Sequence, residues 1–141
     1  MTGRRYIIEA DGGSRGNPGL AGSGAVVIDP ATGEILAEIG RYLGTATNNV
    51  AEYTGLISGL EWVLGRDPHA EILVRMDSKL VIEQMAGRWK VKHPDMQVLA
   101  SQARDLLIGV PVHWQWVPRD QNSRADAVAN QAMDQRQDFV R

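Results

Sequence analysis

Cysteine is absent from this chain of 141 residues. That removes disulfides, thiolate metal sites and cysteine nucleophiles together, and it fits a reducing compartment. An excess of one charge is missing as well, because 15 Lys and Arg stand against 17 Asp and Glu for a formal net charge of −2. No global field draws the protein onto a polyanion, so any contact with nucleic acid has to come from a local patch. Histidine is scarce and scattered, at His69, His93 and His113, too thin a supply for a zinc site built on imidazoles. No apolar run is long enough to be a secretory signal at the N-terminus or to span a bilayer, so the expectation is a cytoplasmic protein with no membrane partner. What remains is the composition of an ordinary globular protein, 43% hydrophobic, at a length that predicts a single domain over 1–141 with a real core.

Hydrophobic periodicity orders the chain. Tyr6, Ile8 and Ala10 alternate with Ile7, Glu9 and Asp11, a period of two that predicts a strand ending at Asp11 and Gly12. Two further strands follow, Ala25 to Ile28 and Glu34 to Tyr42, parted by the turn chemistry of "DPATG", so the first three strands form an antiparallel meander. Tyr53, Leu56, Ile57, Leu60, Val63 and Leu64 recur at helical spacing, with Asn48 or Asn49 as N-cap. "AEILVRMDS" is a strand that stops at Asp77, after which Ser78 caps a short helix through Met85. A helix from about Asp95 to Leu107, a fifth strand in "VPVHWQWVP" with His113 packed inside it, and a last helix from near Ser123 to the end complete the order. Three antiparallel strands followed by alternating strand and helix predict an α/β domain around a mixed five-stranded sheet.

The stretch "EADGGSRGNPGLAGSG" invites a nucleotide-loop reading, and it fails both tests. A dinucleotide fingerprint needs glycine at i, i+2 and i+5 opening a helix; Gly22 and Gly24 serve the first two places, but Val27 takes the third, inside a strand. A phosphate-binding loop of the other common kind needs Gly-Lys followed by Ser or Thr, and the chain has no Gly-Lys pair. The better reading is a hairpin that displays Asp11.

Four carboxylates stand at expected element boundaries: Asp11, Glu52, Asp77 and Asp126. If the first and fourth strands are neighbours, Asp11 and Asp77 lie side by side and the two helix starts bring in Glu52 and Asp126. Like charges packed in this way repel unless a cation joins them, and an all-oxygen donor set suits Mg²⁺ or Mn²⁺. A plainer reading stands beside this one. Glu52 follows Asn49 by three and Asp126 follows Ser123 by three, both capping-box positions, while Asp11 and Asp77 also suit a turn and a helix start.

"DGGSRGNPG", "TNNVAEYTGL", "MDSKLVIEQM" and "NSRADAVANQA", each carrying one of the four carboxylates in that order, resemble the four signature segments of type 1 ribonuclease H. The resemblance spans essentially residues 5 to 135. It implies a ribonuclease H-like fold with sheet order 3-2-1-4-5 and helices on both faces. It also implies endonucleolytic hydrolysis of the RNA strand of an RNA/DNA hybrid, with 5′-phosphate and 3′-hydroxyl products. Asp11, Glu52, Asp77 and Asp126 would hold two Mg²⁺ ions, which Mn²⁺ can replace. By the same resemblance Asn17, Asn48, Asn49 and the backbone around Ser14 and Gly16 would read 2′-hydroxyls, while Thr47 and Asn122 would seat a DNA phosphate. Trp89, within the basic and aromatic run "GRWKVKH", would stack on the duplex. Family members often carry a mobile histidine before the last helix; "VPRDQNSRAD" has none, and Arg119 and Asp120 are the polar residues in its place. Some bacterial relatives of this kind continue into a C-terminal phosphatase-like domain, and the domain itself is expected to be monomeric. Two rival functions are a non-catalytic hybrid-binding module and another nuclease on the same fold, such as an integrase or resolvase.

Overall fold

In the computed structural model, which describes residues 3–141, the chain runs β1 (Arg5–Arg15), β2 (Gly19–Ile28), β3 (Ile35–Ala46), α1 (Asn48–Arg66), β4 (Glu71–Met76), α2 (Lys79–Met85), α3 (Pro94–Leu106), β5 (Val112–Trp116), a single 3₁₀ turn (Arg119–Gln121), α4 (Ser123–Gln135) and β6 (Phe139–Val140). The sheet order is β5-β4-β1-β2-β3-β6. The expected order 3-2-1-4-5 is therefore present, with a sixth strand added beyond β3. β1 pairs antiparallel with β2 and parallel with β4, and β4 pairs parallel with β5. No helix among the described residues is long and apolar enough to cross a membrane.

Strand alternation assigns the two faces. Tyr6, Ile8 and Ala10 of β1, Ala25 and Val27 of β2, and Ile72, Val74 and Met76 of β4 point to one side, where Tyr53, Leu56, Leu60 and Val63 of α1 cover them. α2 and α3 extend that layer through Val81, Ile82, Ala100 and Ala103. Burying such side chains, at about 1.5–3 kcal/mol each, is the main force holding the layers together. On the opposite face Val26 and Ile28 meet Ala125 and Val128 of α4. The register of β1 on β4 ends at Ala10 opposite Met76, so Asp11, the next residue of β1, turns to the α4 side of the sheet, and Asp77 follows directly on the end of β4.

Several boundaries differ from the sequence reading. β1 and β2 run on to Arg15 and from Gly19, so the glycine-rich stretch is mostly paired strand with a short turn at its tip, and Asp11 lies within β1, just past its pairing with β4. The glycines serve close approach. A Cβ on Gly12 would sit 2.2 Å from the Ala51 carbonyl carbon of α1, and one on Gly24 would sit 2.4 Å from the Ala125 oxygen of α4. Thr47, rather than Asn48 or Asn49, caps α1, its Oγ1 accepting from the Val50 N–H at 3.3 Å. Asn122, rather than Ser123, is the N-cap residue of α4, and its side chain makes no capping bond. Neither capping box forms, because both helices begin one or two residues earlier than the boxes require. α4 ends at Gln135, where Arg136 turns the chain with φ of 50° and β6 returns onto Ile39 and Gly40. His113 faces outward, 68% exposed beside Glu71, because the outer face of β4 and β5 lies beyond the reach of α4.

Candidate active site

Gly12 and Gly24 let α1 and α4 press against opposite faces of the same two strands, and this brings the carboxylates together. Ligand oxygens of Asp11, Glu52 and Asp77 all lie within 4.8 Å of one another. Asp126 comes from the first turn of α4 into hydrogen-bonding reach of Asp11. The four line one cleft of about 460 Å³, with Gly12, Gly13, Ser14, Asn48, Arg15 and Arg119.

Burial and mutual repulsion dominate the electrostatics of the cluster. Burial first, and then the charge of Asp77, pushes the Asp11 carboxyl up to about 8. Burial, followed by the charges of Asp11 and Asp77, holds Glu52 well above the ordinary range. Glu52 Oε2 is buried with no hydrogen-bond partner, an orphaned acceptor of a kind that folded proteins rarely leave. Divalent cations fit these residues: the donors are all oxygen, they converge, and one of them has nothing else to bind.

Asn122 lies beneath the cleft, against Asp77. It is 1% exposed, and its Nδ2 donates to the Ala10 carbonyl at 2.9 Å and to Asp77 Oδ1 at 3.1 Å. These two bonds brace Asp77 against β1. Trp116 adds a second brace, its indole N–H donating to the Asp77 carbonyl at 3.1 Å. Beneath the site the buried Glu9 accepts two bonds from Arg124, at 3.0 and 2.9 Å, and lies 3.6 Å from Arg75. That pairing ties the first turn of α4, and Asp126 with it, to β1.

The hairpin and the start of α1 are joined by polar bonds. The Ser14 N–H donates to Asn48 Oδ1 at 2.7 Å, the Ser14 hydroxyl donates to the Ala46 carbonyl at 2.7 Å, and the Asn48 N–H donates to Asn17 Oδ1 at 3.1 Å. Gly16 and Asn17 form the exposed turn with φ of 120° and 28°. Asn17, Asn48, Ser14 and Gly16 are thus brought together, with Asn49 exposed alongside and Thr47 occupied as a cap.

Trp89 is not among the residues that line the cleft and is 45% exposed on the loop between α2 and α3. Around it Arg88 is locked onto Glu83 at 2.6 and 2.9 Å, and His93 Nδ1 caps α3 by accepting from the Asp95 N–H at 3.2 Å. Lys90 and Lys92 make no ion pair among the described residues, so they are the free cations of the basic run. In the place of the histidine, Arg119 lies 3.9 Å from Asp77 Oδ2, whereas Asp120 does not line the cleft.

Sequence reasoning missed Asn130, Arg15 as a cleft residue, and the Glu9–Arg124 pair. Asn130 donates to the Asp126 carbonyl at 2.9 Å and to Asp126 Oδ1 at 3.3 Å, and its i+4 spacing on α4 was the available signal. The other two depend on contacts across more than a hundred residues.

The family described as reverse transcriptase-like matches residues 9–132. The bifunctional protein Rv2228c of Mycobacterium tuberculosis is 54% identical over 131 residues, 92% of this chain but 36% of that protein, so the chain spans about a third of the relative's length. The solved N-terminal RNase H domain of Rv2228c, a fusion with maltose binding protein, superposes with a TM-score of 0.89 at 53% identity, covering 94% of this chain and 96% of that one. LC11-RNase H1, solved in complex with an RNA/DNA hybrid, superposes with a TM-score of 0.85 at 39% identity and covers 93% and 98% respectively.

Proposed function

This chain belongs to the type 1 ribonuclease H family, and from that premise we propose that it is a metal-dependent endonuclease cutting the RNA strand of RNA/DNA hybrids, with 5′-phosphate and 3′-hydroxyl products. The observation that carries the reading is the convergence of Asp11, Glu52 and Asp77 within 4.8 Å around a buried carboxylate oxygen that has no partner. Asp11, Glu52, Asp77 and Asp126 would hold the metal, two Mg²⁺ ions by family likeness, with Mn²⁺ able to replace them. When bound, such ions activate an attacking water and stabilise the leaving 3′ oxygen of an in-line displacement.

The rest falls to the chain itself. Asn122 and Trp116 fix Asp77, and the Glu9–Arg124 pair fixes the helix turn that carries Asp126, so the carboxylates meet the substrate already oriented. The Oδ1 atoms of Asn17 and Asn48 are spent on the backbone, while their Nδ2 groups make no hydrogen bond among the described residues and are the donors that would meet a 2′-hydroxyl oxygen, a group that duplex DNA lacks. Asn49 and the exposed backbone at Gly16 extend that surface. Arg119, near Asp77, supplies positive charge where family members place a histidine. The domain acts as a monomer in the cytoplasm under this reading.

The test is cleavage of an end-labelled RNA/DNA hybrid beside duplex DNA, duplex RNA and single-stranded RNA. Wild type and Asp77→Asn are each assayed in Mg²⁺ and in EDTA. Hybrid-only cutting that needs both Mg²⁺ and Asp77 is expected; activity surviving in EDTA or in the variant rejects the metal assignment, and equal cutting of duplex RNA rejects the hybrid specificity.

A further inference from the structure

Two arginines are among the residues that line the cleft of the four carboxylates, Arg119, whose Nε lies 3.9 Å from Asp77, and Arg15. Arg15 is the last residue of β1, at the foot of the exposed turn. Its side chain reaches from there to α4, where Nη2 donates to Asp134 Oδ1 at 2.7 Å and to Asn130 Oδ1 at 3.2 Å. Nε and Nη1 have no partner among the described residues. The ion pair is open to water, with Arg15 46% and Asp134 64% exposed, and pairs of that kind contribute little to stability.

On the ribonuclease reading of the site, we infer that Arg15 is a phosphate-binding residue of the substrate groove, held on Asp134 in the free protein and surrendered by it to the strand that enters the cleft. Metal ions balance the charge of the carboxylates, but the phosphates flanking the cut still need cations, and the net charge of −2 offers no general field to supply them. A guanidinium fork with unspent donors suits a phosphate's paired oxygens better than it suits a single solvated carboxylate oxygen. Asn130 gives the exchange its register. Its amide nitrogen is bound to Asp126 while its carbonyl oxygen accepts from Arg15, so an arginine that leaves Asp134 while keeping Asn130 stays indexed to a carboxylate of the metal site. Asp134 is then a competitor for the substrate, one that restrains binding.

Three variants separate this role from that of a clip between the hairpin and α4. Steady-state hybrid cleavage is measured across a salt series for wild type, Arg15→Gln, Arg15→Lys and Asp134→Asn, with thermal melting of each. Arg15→Gln is expected to raise KM roughly three- to tenfold and to lower the slope of log KM on log salt by about 1, kcat falling by much less. Arg15→Lys, which keeps the charge without the fork, should fall between. Asp134→Asn should lower KM about two- to fivefold, the worth of the pair it releases. A clip predicts that both partners' variants melt lower and shift KM in the same direction or leave it alone, and that result overturns the inference. The Asp134→Asn arm decides even if Arg15→Gln folds poorly. Failure of wild type to cut the hybrid would strike the ribonuclease reading instead, and it appears in a separate lane.

Discussion

Asp77→Asn should make the metal-free protein more stable while it removes cleavage. In wild type the Asp77 carboxylate shares a shell of 4.8 Å with Asp11 and Glu52. At that separation and an effective dielectric constant of about 20, one pair of charges repels by roughly 3 kcal/mol. Part of this is already relieved, because burial and the neighbouring charge push Asp11 up to about 8, so the site takes up protons rather than bearing the full repulsion. The net gain on neutralising Asp77 is therefore about 1–2 kcal/mol near pH 8. Little is lost in exchange. An asparagine oxygen can still accept from Asn122 Nδ2, now 3.1 Å from Asp77 Oδ1, and the contact to Arg119 is to a side chain 92% exposed. For a chain of this size the gain corresponds to roughly 3–7 °C in Tm. The assay is a circular dichroism melt of both proteins in EDTA at pH 8, repeated with Mg²⁺. Wild type should gain on Mg²⁺ addition by linkage to binding, the variant far less, and near pH 5 the difference in EDTA should shrink as Asp11 and Glu52 hold protons. A variant that melts below wild type in EDTA at pH 8, or that gains as much from Mg²⁺, would refute the reasoning.

Other consequences follow from the same geometry. Because Asp11 titrates near 8 in the folded state against 3.8 ordinarily, the native state binds the extra proton; stability in EDTA is greatest below about pH 4 for this group and declines as pH rises towards about 8. A Tm series that climbs over that window would contradict the assignment. Gly24→Ala would place a methyl 2.4 Å from the Ala125 oxygen and 2.6 Å from the Ala129 nitrogen, lifting α4 at a cost of about 2–3 kcal/mol and lowering activity through Asp126; urea unfolding within 0.5 kcal/mol of wild type, on the order of ordinary surface variation, would show that the helix does not need the gap. Glu9→Gln leaves Arg75 and Arg124 without their buried counter-charge, and since Arg124 is 46% exposed and can rehydrate, the expected loss is about 1–3 kcal/mol, measured by the same unfolding curves.

How much was legible varies residue by residue. Asp11 and Asp77 were visible as acids after apolar strands, and Ser78 as a cap, since strand alternation and N-cap chemistry operate over a few residues. Glu52 and Asp126 looked equally like members of capping boxes, and the structure removes that alternative by starting α1 at Asn48 and α4 at Ser123. The bond from Asn122 to β1 was hidden for a different reason: its partner lies 112 positions away, and no local pattern encodes that. The return of β6 onto β3 was equally hidden, because two residues are too few to show a period.

By itself the sequence determined which chemistry was possible: no thiols, few imidazoles, and four carboxylates in ordered segments, hence an oxygen-ligand site on an α/β sheet. Those are properties of residue type and short-range spacing, which the chain carries whether folded or not. Only the tertiary structure decided that the glycines of "EADGGSRGNPGLAGSG" admit two helices to within contact of two strands, that Asp11, Glu52 and Asp77 converge to within 4.8 Å, and that Arg15 crosses to Asn130 and Asp134. The physical reason is excluded volume and burial. Whether a missing Cβ matters, or whether a carboxyl keeps its proton, depends on which distant backbone packs against it, and the chain acquires that neighbour only by folding.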